Sequence, residues 1–92
     1  MTVTDHRKLI DLTSVGPATV KDLALLGITT VAQLRNRDGA DLYHRLCLET
    51  GEQHDICCLD VFMCAIAQAR DPNLPQEQKN WWYWSKQRKM NG

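Results

Sequence analysis

The segment LIDLTSVGPATVKDLALLGI, residues 9–28, decides the fold around which the rest of the chain is built. Its apolar start leads into the turn residues 13–17, and a helical pattern then runs to Leu26 and stops at Gly27. A tight turn between two short helices leaves amide groups without partners at the start of the second helix. Because the positive end of the helix dipole lies there as well, this helix N-terminus suits an anion.

The spacing of glycine and apolar residues in this segment resembles a helix-hairpin-helix motif, the module that grips nucleic-acid backbones in many repair and recombination proteins. The residues that carry the resemblance are Leu9, Leu12, residues 15–17, Ala18, Val20, Leu23 and residues 26–28. The hairpin of the motif is usually Gly-apolar-Gly, whereas this chain has Ser14, Val15 and Gly16. If the first position needs a positive φ, Ser14 carries a steric cost that glycine would not.

Composition limits the class of protein. The 92 residues are enough for one domain, and the 43% hydrophobic content fills one modest core. Eleven basic and eleven acidic side chains cancel, which argues mildly against strong, general affinity for nucleic acid. The sequence has no apolar run of membrane-spanning length and no signal-peptide pattern, so we expect a cytoplasmic protein without membrane contact.

The helical pattern predicts an all-α fold of about five short helices. We place them at residues 5–12, 17–26, 31–36, 40–50 and 56–70, with Leu9, Ile10 and Leu12 as the apolar part of the first. The last of the five is the most apolar and the predicted centre of the core. Its recurring apolar positions are Ile56, Leu59, Phe62, Met63, Ile66 and Ala69.

Caps mark most of the predicted helix ends. Gly27 is suited to a left-handed C-cap, with Ile28 supplying the apolar contact. Residues 30–33 read as a capping box. Asp38 and Asp55 can cap the helices that follow them, and Thr4 or Asp5 the first one.

The order of elements resembles a paired helix-hairpin-helix domain, a SAM-like bundle, over residues 1–70. Its first hairpin is residues 13–17, and the second, residues 50–54, lacks the Gly-apolar-Gly pattern. Residues 71–92 form a Trp-rich C-terminal segment, opened by a short helix near Pro75, that we expect to pack on the same domain. The polar and basic tail from Ser85 onward is expected to fray.

A more specific resemblance joins residues along most of the chain, from about residue 7 to 86. The chain is similar to the bacterial pathogenicity-locus family, often labelled mitomycin-resistance proteins. The resemblance rests on residues 15–17, Leu42-Tyr43, Leu46-Cys47, His54-Asp55, Cys57, residues 59–62, Trp81-Trp82 and Trp84. It implies a stand-alone helix-hairpin-helix protein that binds DNA and is not established as an enzyme. The resistance label suggests a tie to damaged or cross-linked DNA.

The hairpin is the predicted DNA-phosphate site. Its donors are the amides of Gly16, Ala18 and Thr19 and the Thr19 hydroxyl, and such contacts are independent of base sequence. Arg7 and Lys8, with His6, could extend the basic patch, although each cation also fits an ordinary solvated surface residue. The predicted phosphate-binding residues are Ser14, Val15, Gly16, Ala18, Thr19 and Lys21.

The aromatic cluster offers a secondary contact for nucleic acid or a protein partner. Trp81, Trp82 and Trp84 could stack on unpaired bases, because Lys79, Lys86, Arg88 and Lys89 flank them with positive charge. The sequence favours the other interpretation, in which the tryptophans fold back over the helical core and one stays exposed as a partner or dimer contact.

We predict no metal, cofactor or catalytic residue. His54 and Cys58 could share a helix face, but a zinc site needs more ligands and the sequence has no CxxC pair. Cys47 with His44 or His54 could be imagined as a nucleophile and base, but nothing marks a reactive thiol. We expect the four cysteines to be buried thiols, three of them in or beside the fifth helix.

Two functions remain open on the sequence. The first is weak, sequence-independent DNA binding, with a homodimer or larger protein partner helping the single hairpin. The second is a protein-interaction module that keeps the fold without binding DNA, which the neutral charge and Ser14 favour.

Overall fold

Five α-helices and two short 3-10 helices make up residues 7–91, the part of the chain that the computed structural model describes. No strand occurs in these residues, which confirms the predicted all-α class. A 3-10 helix, Leu9–Asp11, precedes α1, and a second, Gln76–Lys79, precedes α5. The α-helices are α1 (Pro17–Leu25), α2 (Val31–Leu34), α3 (Gly39–Thr50), α4 (Cys57–Arg70) and α5 (Trp81–Asn91).

Helix α4 lies at the centre of the packing, against α2, α3 and α5. It contributes Phe62, Ile66 and Ala69 to the core, as its apolar periodicity predicts, and also Ala65. The remaining core side chains come mainly from residues 9–46: Leu9, Leu12, Val15, Leu23, Leu26, Ile28, Val31, Leu34, Leu42 and Leu46. Three predicted members are not part of the core. Ile56 and Met63 are about two-fifths exposed, at 41% and 39%, and Leu59 is half-buried.

The predicted end of α1 is confirmed in detail. Gly27 has φ +80, and its amide donates to the Ala24 carbonyl at 3.0 Å. The Ile28 amide reaches back to the Leu23 carbonyl at 2.9 Å, and the Ile28 side chain is fully buried. This pair of bonds is a Schellman motif, which turns the chain sharply into α2.

Side-chain caps start α2 and α3 as predicted. Gln33 Oε1 accepts the Thr30 amide at 3.1 Å, while Thr30 Oγ1 accepts the Gln33 amide at 3.3 Å. Asp38 Oδ1 accepts the Ala40 amide at 2.9 Å. Each cap satisfies amides that the first helical turn cannot pair internally.

The first predicted helix is wrong in extent. Within the described residues only the 3-10 turn Leu9–Asp11 forms, because Asp11 Oδ2 accepts the Lys8 amide at 2.8 Å and Leu12 is already extended. Ile10 is 46% exposed instead of buried. The proposed caps Thr4 and Asp5 lie outside the described residues.

The expectation that the tail frays from Ser85 is also wrong, since α5 continues to Asn91. Arg88 makes a two-pronged ion pair with the buried Asp60 of α4, with Nε–Oδ1 at 2.9 Å and the second nitrogen at 3.1 Å from Oδ2. Ser85 is buried in the same contact, and Arg88 also reaches its Oγ at 3.4 Å. A charge-assisted, two-pronged bond of this kind holds the helix on α4.

Among residues 7–91, no helix has the length and hydrophobicity that a membrane span requires. The division into residues 1–70 and 71–92 stays a prediction.

Candidate functional site

The turn between residues 13 and 19, here called the hairpin segment, has a positive φ at Ser14, the position where the helix-hairpin-helix motif usually has glycine. Ser14 has φ +72 and is the non-glycine residue with positive φ among residues 7–91. Gly16 is the N-cap of α1, with φ −104 and ψ 179, and Pro17 occupies the first helical position. Proline fits there because its missing amide proton would have no helical partner.

The Ser14 side chain ties the hairpin segment to the C-terminal part of the chain. Its hydroxyl donates to the Lys79 carbonyl and accepts the Trp81 amide, both at 3.1 Å. Glycine at this position would relieve the backbone but could make neither bond. Compared with glycine, Ser14 therefore has a less favourable backbone conformation but makes two hydrogen bonds next to the start of α5.

A buried side chain of α4 holds Thr13, the residue next to Ser14. Gln68 Oε1 accepts the Thr13 amide at 2.9 Å, and Gln68 Nε2 donates to the Thr13 carbonyl at 2.8 Å. Gln68 is only 3% exposed, so these backbone groups are satisfied away from water. The turn is thus fixed by α4 before any ligand arrives.

Cys64 lies in the same buried polar cluster. Its Sγ donates to the Lys79 carbonyl at 3.0 Å and accepts from Gln68 Nε2 at 3.3 Å. Burial raises the pKa of the Cys64 thiol to about 11, which keeps it protonated at neutral pH. The thiol acts here as a hydrogen-bond donor to the chain that meets Ser14.

The start of α1 offers unpaired donors. The amides of Gly16, Ala18 and Thr19 have no hydrogen-bond partner within residues 7–91, whereas the Val20 amide donates to the Gly16 carbonyl at 3.0 Å. A Cβ built on Gly16 meets nothing within 4 Å, so there is open space at the Gly16 Cα, next to these amides. Such donors at the positive end of a nine-residue helix suit an anionic oxygen.

The other predicted site residues either have structural roles or are exposed cations. Val15 is 6% exposed and its amide donates to the Leu12 carbonyl at 3.2 Å, so it supports the turn and offers no donor. Lys21 and Lys8 are exposed. Arg7 is half-buried and donates to the Gln68 carbonyl at 2.9 Å, which commits it to the end of α4.

The second connection, residues 50–54, is built differently. Gly51 ends α3 in the left-handed region, Tyr43 donates its hydroxyl to the His54 carbonyl, and Thr50 Oγ1 lies 2.8 Å from His54 Nε2. Asp55 Oδ1 then accepts the Cys57 amide at 3.0 Å, and this bond lowers the pKa of the Asp55 carboxyl. A carboxylate already occupies this helix start, so the second connection disfavours a phosphate.

The tryptophans differ in exposure, and two of them are exposed where the sequence predicts one. Trp84 is half-buried and donates its Nε1 proton to the Gln78 carbonyl at 2.8 Å, with Tyr83 edge-on at 5.5 Å. Trp81 is 37% exposed and Trp82 is 55% exposed. Two aromatic rings are therefore left at the surface beside the hairpin segment.

The thiols carry no mark of a reactive site. A hydrogen bond with Asp55 raises the pKa of Cys57, and burial raises that of Cys58. Cys64 is buried, but Cys47, Cys57 and Cys58 are only half-buried, against the expectation of burial for all four. Within residues 7–91, no three His, Cys, Asp or Glu side chains lie together as a metal site would need.

Sequence reasoning missed Gln68, Cys64 and the Ser14 bridge. The bonds of Gln68 and Ser14 join residues 55 to 67 positions apart, and Cys64 reaches a backbone carbonyl of the 3-10 helix Gln76–Lys79, so no local pattern predicts them. A buried glutamine in an otherwise apolar helix is the one signal that could have raised the question.

Comparison with known proteins agrees with the resemblance read from the sequence. The model of the family described as Cdd1, pathogenicity locus, matches residues 3–90. A relative from Streptomyces lavendulae, the mitomycin resistance protein McrB, is 38% identical over 89 residues, which cover 97% of this chain and 81% of the relative. No solved structure matches. The matched span and the identity to this relative show that the chain belongs to the pathogenicity-locus family.

Proposed function

We propose that this chain binds the DNA backbone through the hairpin segment, weakly and without sequence preference. The observation that carries the proposal is the set of unpartnered amides at Gly16, Ala18 and Thr19, at the start of a helix whose N-cap Gly16 has open space at its Cα. A phosphate oxygen accepts from such amides and is favoured by the helix dipole. Contacts to phosphate carry no base information, so binding is independent of sequence.

The turn is preorganised for this contact. Gln68 holds Thr13, and the Ser14 hydroxyl joins the turn to Lys79 and Trp81, so little backbone freedom is lost when a phosphate arrives. The exposed Lys21, about one turn along α1, adds a cation near the bound phosphate.

The binding is weak for two reasons. The chain has no net charge, and its second connection ends in a carboxylate cap at Asp55. One hairpin supplies few phosphate contacts, and non-specific affinity grows with their number. The proposal therefore includes a homodimer or a larger protein partner that brings further contacts.

In this proposal the chain binds damaged DNA and catalyses no reaction on it. Its relative is named for mitomycin resistance, and binding to damaged or cross-linked DNA in the bacterial cytoplasm would connect that name to the hairpin. Three of its thiols, at Cys57, Cys58 and Cys64, have raised pKa values, which does not favour a cysteine nucleophile.

The test is fluorescence anisotropy with a labelled duplex at low and moderate salt, on the wild type and on Gly16→Val. The valine adds methyl groups in the open space at the Gly16 Cα, next to the amides, while the extended φ of Gly16 suits any residue. We expect salt-sensitive binding that Gly16→Val weakens at least about tenfold, since a hydrogen bond to a charged group is worth about 1.5–3 kcal/mol.

Ala40→Val is the matched control. Ala40 is exposed at the start of α3, but its amide is already bonded to Asp38, so added bulk there should leave DNA affinity unchanged. Absence of binding at low salt, or binding that Gly16→Val leaves intact in a folded variant, contradicts the proposal. The first of these results points instead to a protein-interaction module.

A further inference from the structure

Helix α5 presents an outward face that combines an aromatic ring with cations. Trp82, Lys86 and Lys89 are four and three residues apart, the spacing that aligns side chains along one side of a helix, and all three are exposed. A neighbouring side of α5 faces the protein, because Ser85 is buried and Arg88 is paired with Asp60. Trp82, Lys86 and Lys89 are called the outer face of α5 below.

Positive charge is concentrated on this part of an otherwise neutral chain. Residues 78–92 contain four Lys or Arg and no Asp or Glu. Lys79, Lys86 and Lys89 form no ion pair within residues 7–91, while Arg88 is neutralised by Asp60. The outer face of α5 therefore complements a polyanion.

The start of α5 is bonded to the hairpin segment through Ser14. Through its hydroxyl, Ser14 bonds both the Lys79 carbonyl and the Trp81 amide at 3.1 Å, so the backbone just before Trp82 is held against the turn. Trp81 is 37% exposed at this junction. Because the hairpin segment and the start of α5 are bonded to each other, one DNA strand can contact both.

We propose that the outer face of α5 binds unpaired nucleotides of a DNA strand, with Trp82 stacking on a base and Lys86 and Lys89 contacting the phosphates that follow. Along the helix axis, Lys86 lies about 6 Å and Lys89 about 10 Å from Trp82, which matches a span of two to three nucleotides. The inference rests on the proposed function, since the hairpin segment holds the first phosphate. An intact duplex keeps its base faces stacked inside, so the preferred substrate is single-stranded or locally opened DNA.

The test uses three labelled oligonucleotides of equal length: a thymidine strand, an abasic strand with the same phosphates, and a blunt duplex. Anisotropy titrations compare the wild type with Trp82→Ala. We expect the wild type to prefer the thymidine strand over the abasic strand, and Trp82→Ala to remove that preference. The affinity of Trp82→Ala for the thymidine strand should fall by about tenfold, because stacking on one base is worth about 1–3 kcal/mol.

Two controls separate stacking from folding and from charge. Leu48→Ala removes another exposed apolar side chain, 68% exposed on α3, and should change none of the three affinities. The double variant Lys86→Gln and Lys89→Gln should weaken the thymidine and abasic strands equally, since it removes phosphate contacts alone. Circular dichroism confirms that each variant is folded.

The possible outcomes distinguish this inference from the proposed function. Equal wild-type affinity for thymidine and abasic strands, or no loss in Trp82→Ala, overturns the role of the outer face while duplex binding sensitive to Gly16→Val still supports the hairpin segment. Loss in Trp82→Ala without loss in Gly16→Val supports the outer face and overturns the role of the hairpin segment. Binding to phosphatidylserine vesicles without binding to any strand overturns both.

Discussion

Ser14 carries two opposed energies at a position where the helix-hairpin-helix motif usually has glycine. Its φ of +72 costs about 1–2 kcal/mol for a residue with a Cβ. Its hydroxyl bonds to Lys79 and Trp81 return about 0.5–1.5 kcal/mol each. The two terms are of similar size, so serine can stand at this position at little net cost.

This balance predicts that two substitutions at Ser14 change the free energy of unfolding by different amounts. Ser14→Ala keeps the backbone strain and loses both bonds, so we expect a loss of about 1–2 kcal/mol in the free energy of unfolding. Ser14→Gly also loses the bonds but relieves the strain, so its loss should be smaller by about 1 kcal/mol. Urea unfolding measures both, and a glycine variant less stable than the alanine variant would contradict the account.

The buried Cys64 thiol makes stability depend on alkaline pH. Its pKa is raised by burial to about 11 from an ordinary value of 9.0, so the folded state holds the proton more tightly than the unfolded chain. The stabilisation is complete below pH 9 and is lost as the pH rises through about 11. We expect the loss to be about 1–3 kcal/mol.

Cys64→Ala provides the comparison for this pH dependence. Other groups titrate in the same range in both proteins, so the difference between the two stability curves isolates Cys64. We expect that difference to shrink as the pH rises from 9 to 11, in urea titrations at stepped pH. Parallel curves would show that the thiol is not held protonated by the fold.

At the scale of the elements, the ion pair between Asp60 and Arg88 joins α4 and α5 and stabilises their packing. Asp60 is 1% exposed and its carboxylate is paired on both oxygens with Arg88. Removing one partner of a buried pair leaves an uncompensated charge, which is far more costly than losing a surface pair. The ordered C-terminal helix depends on this contact.

Arg88→Ala should therefore destabilise the protein and loosen α5, since it strands the Asp60 carboxylate away from water. Lys89→Ala, a neighbouring exposed cation, should change stability little. Thermal unfolding followed by circular dichroism shows which of the two variants is less stable. Equal effects would mean that the ion pair does not anchor α5.

Local signals were enough to predict most elements. The capping box at Thr30, the aspartate at Asp38 and the glycine at Gly27 set helix ends through bonds a few residues long, and the structure confirms them. The extent of α5 was wrong because Arg88 finds its partner 28 residues away, which no local pattern contains. The contacts of Gln68 with the turn were missed for the same reason, because Gln68 and Thr13 are far apart in the sequence.

The candidate site was predictable in part for the same reason. The amides of Gly16 and Thr19 follow from the helix start alone, because unpaired donors belong to every helix N-terminus. That the turn needs a positive φ at Ser14, or that Trp82 stays outside while Trp84 is half-buried, depends on how α5 packs on α4. Such packing is a property of the folded chain and is not visible in the spacing of residues.

For the whole molecule, size and charge set the scale of any interaction with DNA. The chain extends 37 Å along its longest axis, which is close to one turn of a duplex, and it has no net charge. It therefore neutralises few phosphates, and its binding must depend on the placement of a few donors instead of on a broad basic surface. The amides of the hairpin segment are the donors that the account relies on.

The most direct test observes these amides one by one, in nitrogen-proton correlation spectra of the labelled protein titrated with a short duplex at low salt. The account predicts that the largest shifts fall on the amides of Gly16, Ala18 and Thr19, with Pro17 silent because it has no amide proton. The shifts should reverse as salt is added. Shifts that leave these amides unchanged and appear on another surface, or no shifts at low salt, would contradict the claim that the hairpin segment grips the DNA backbone.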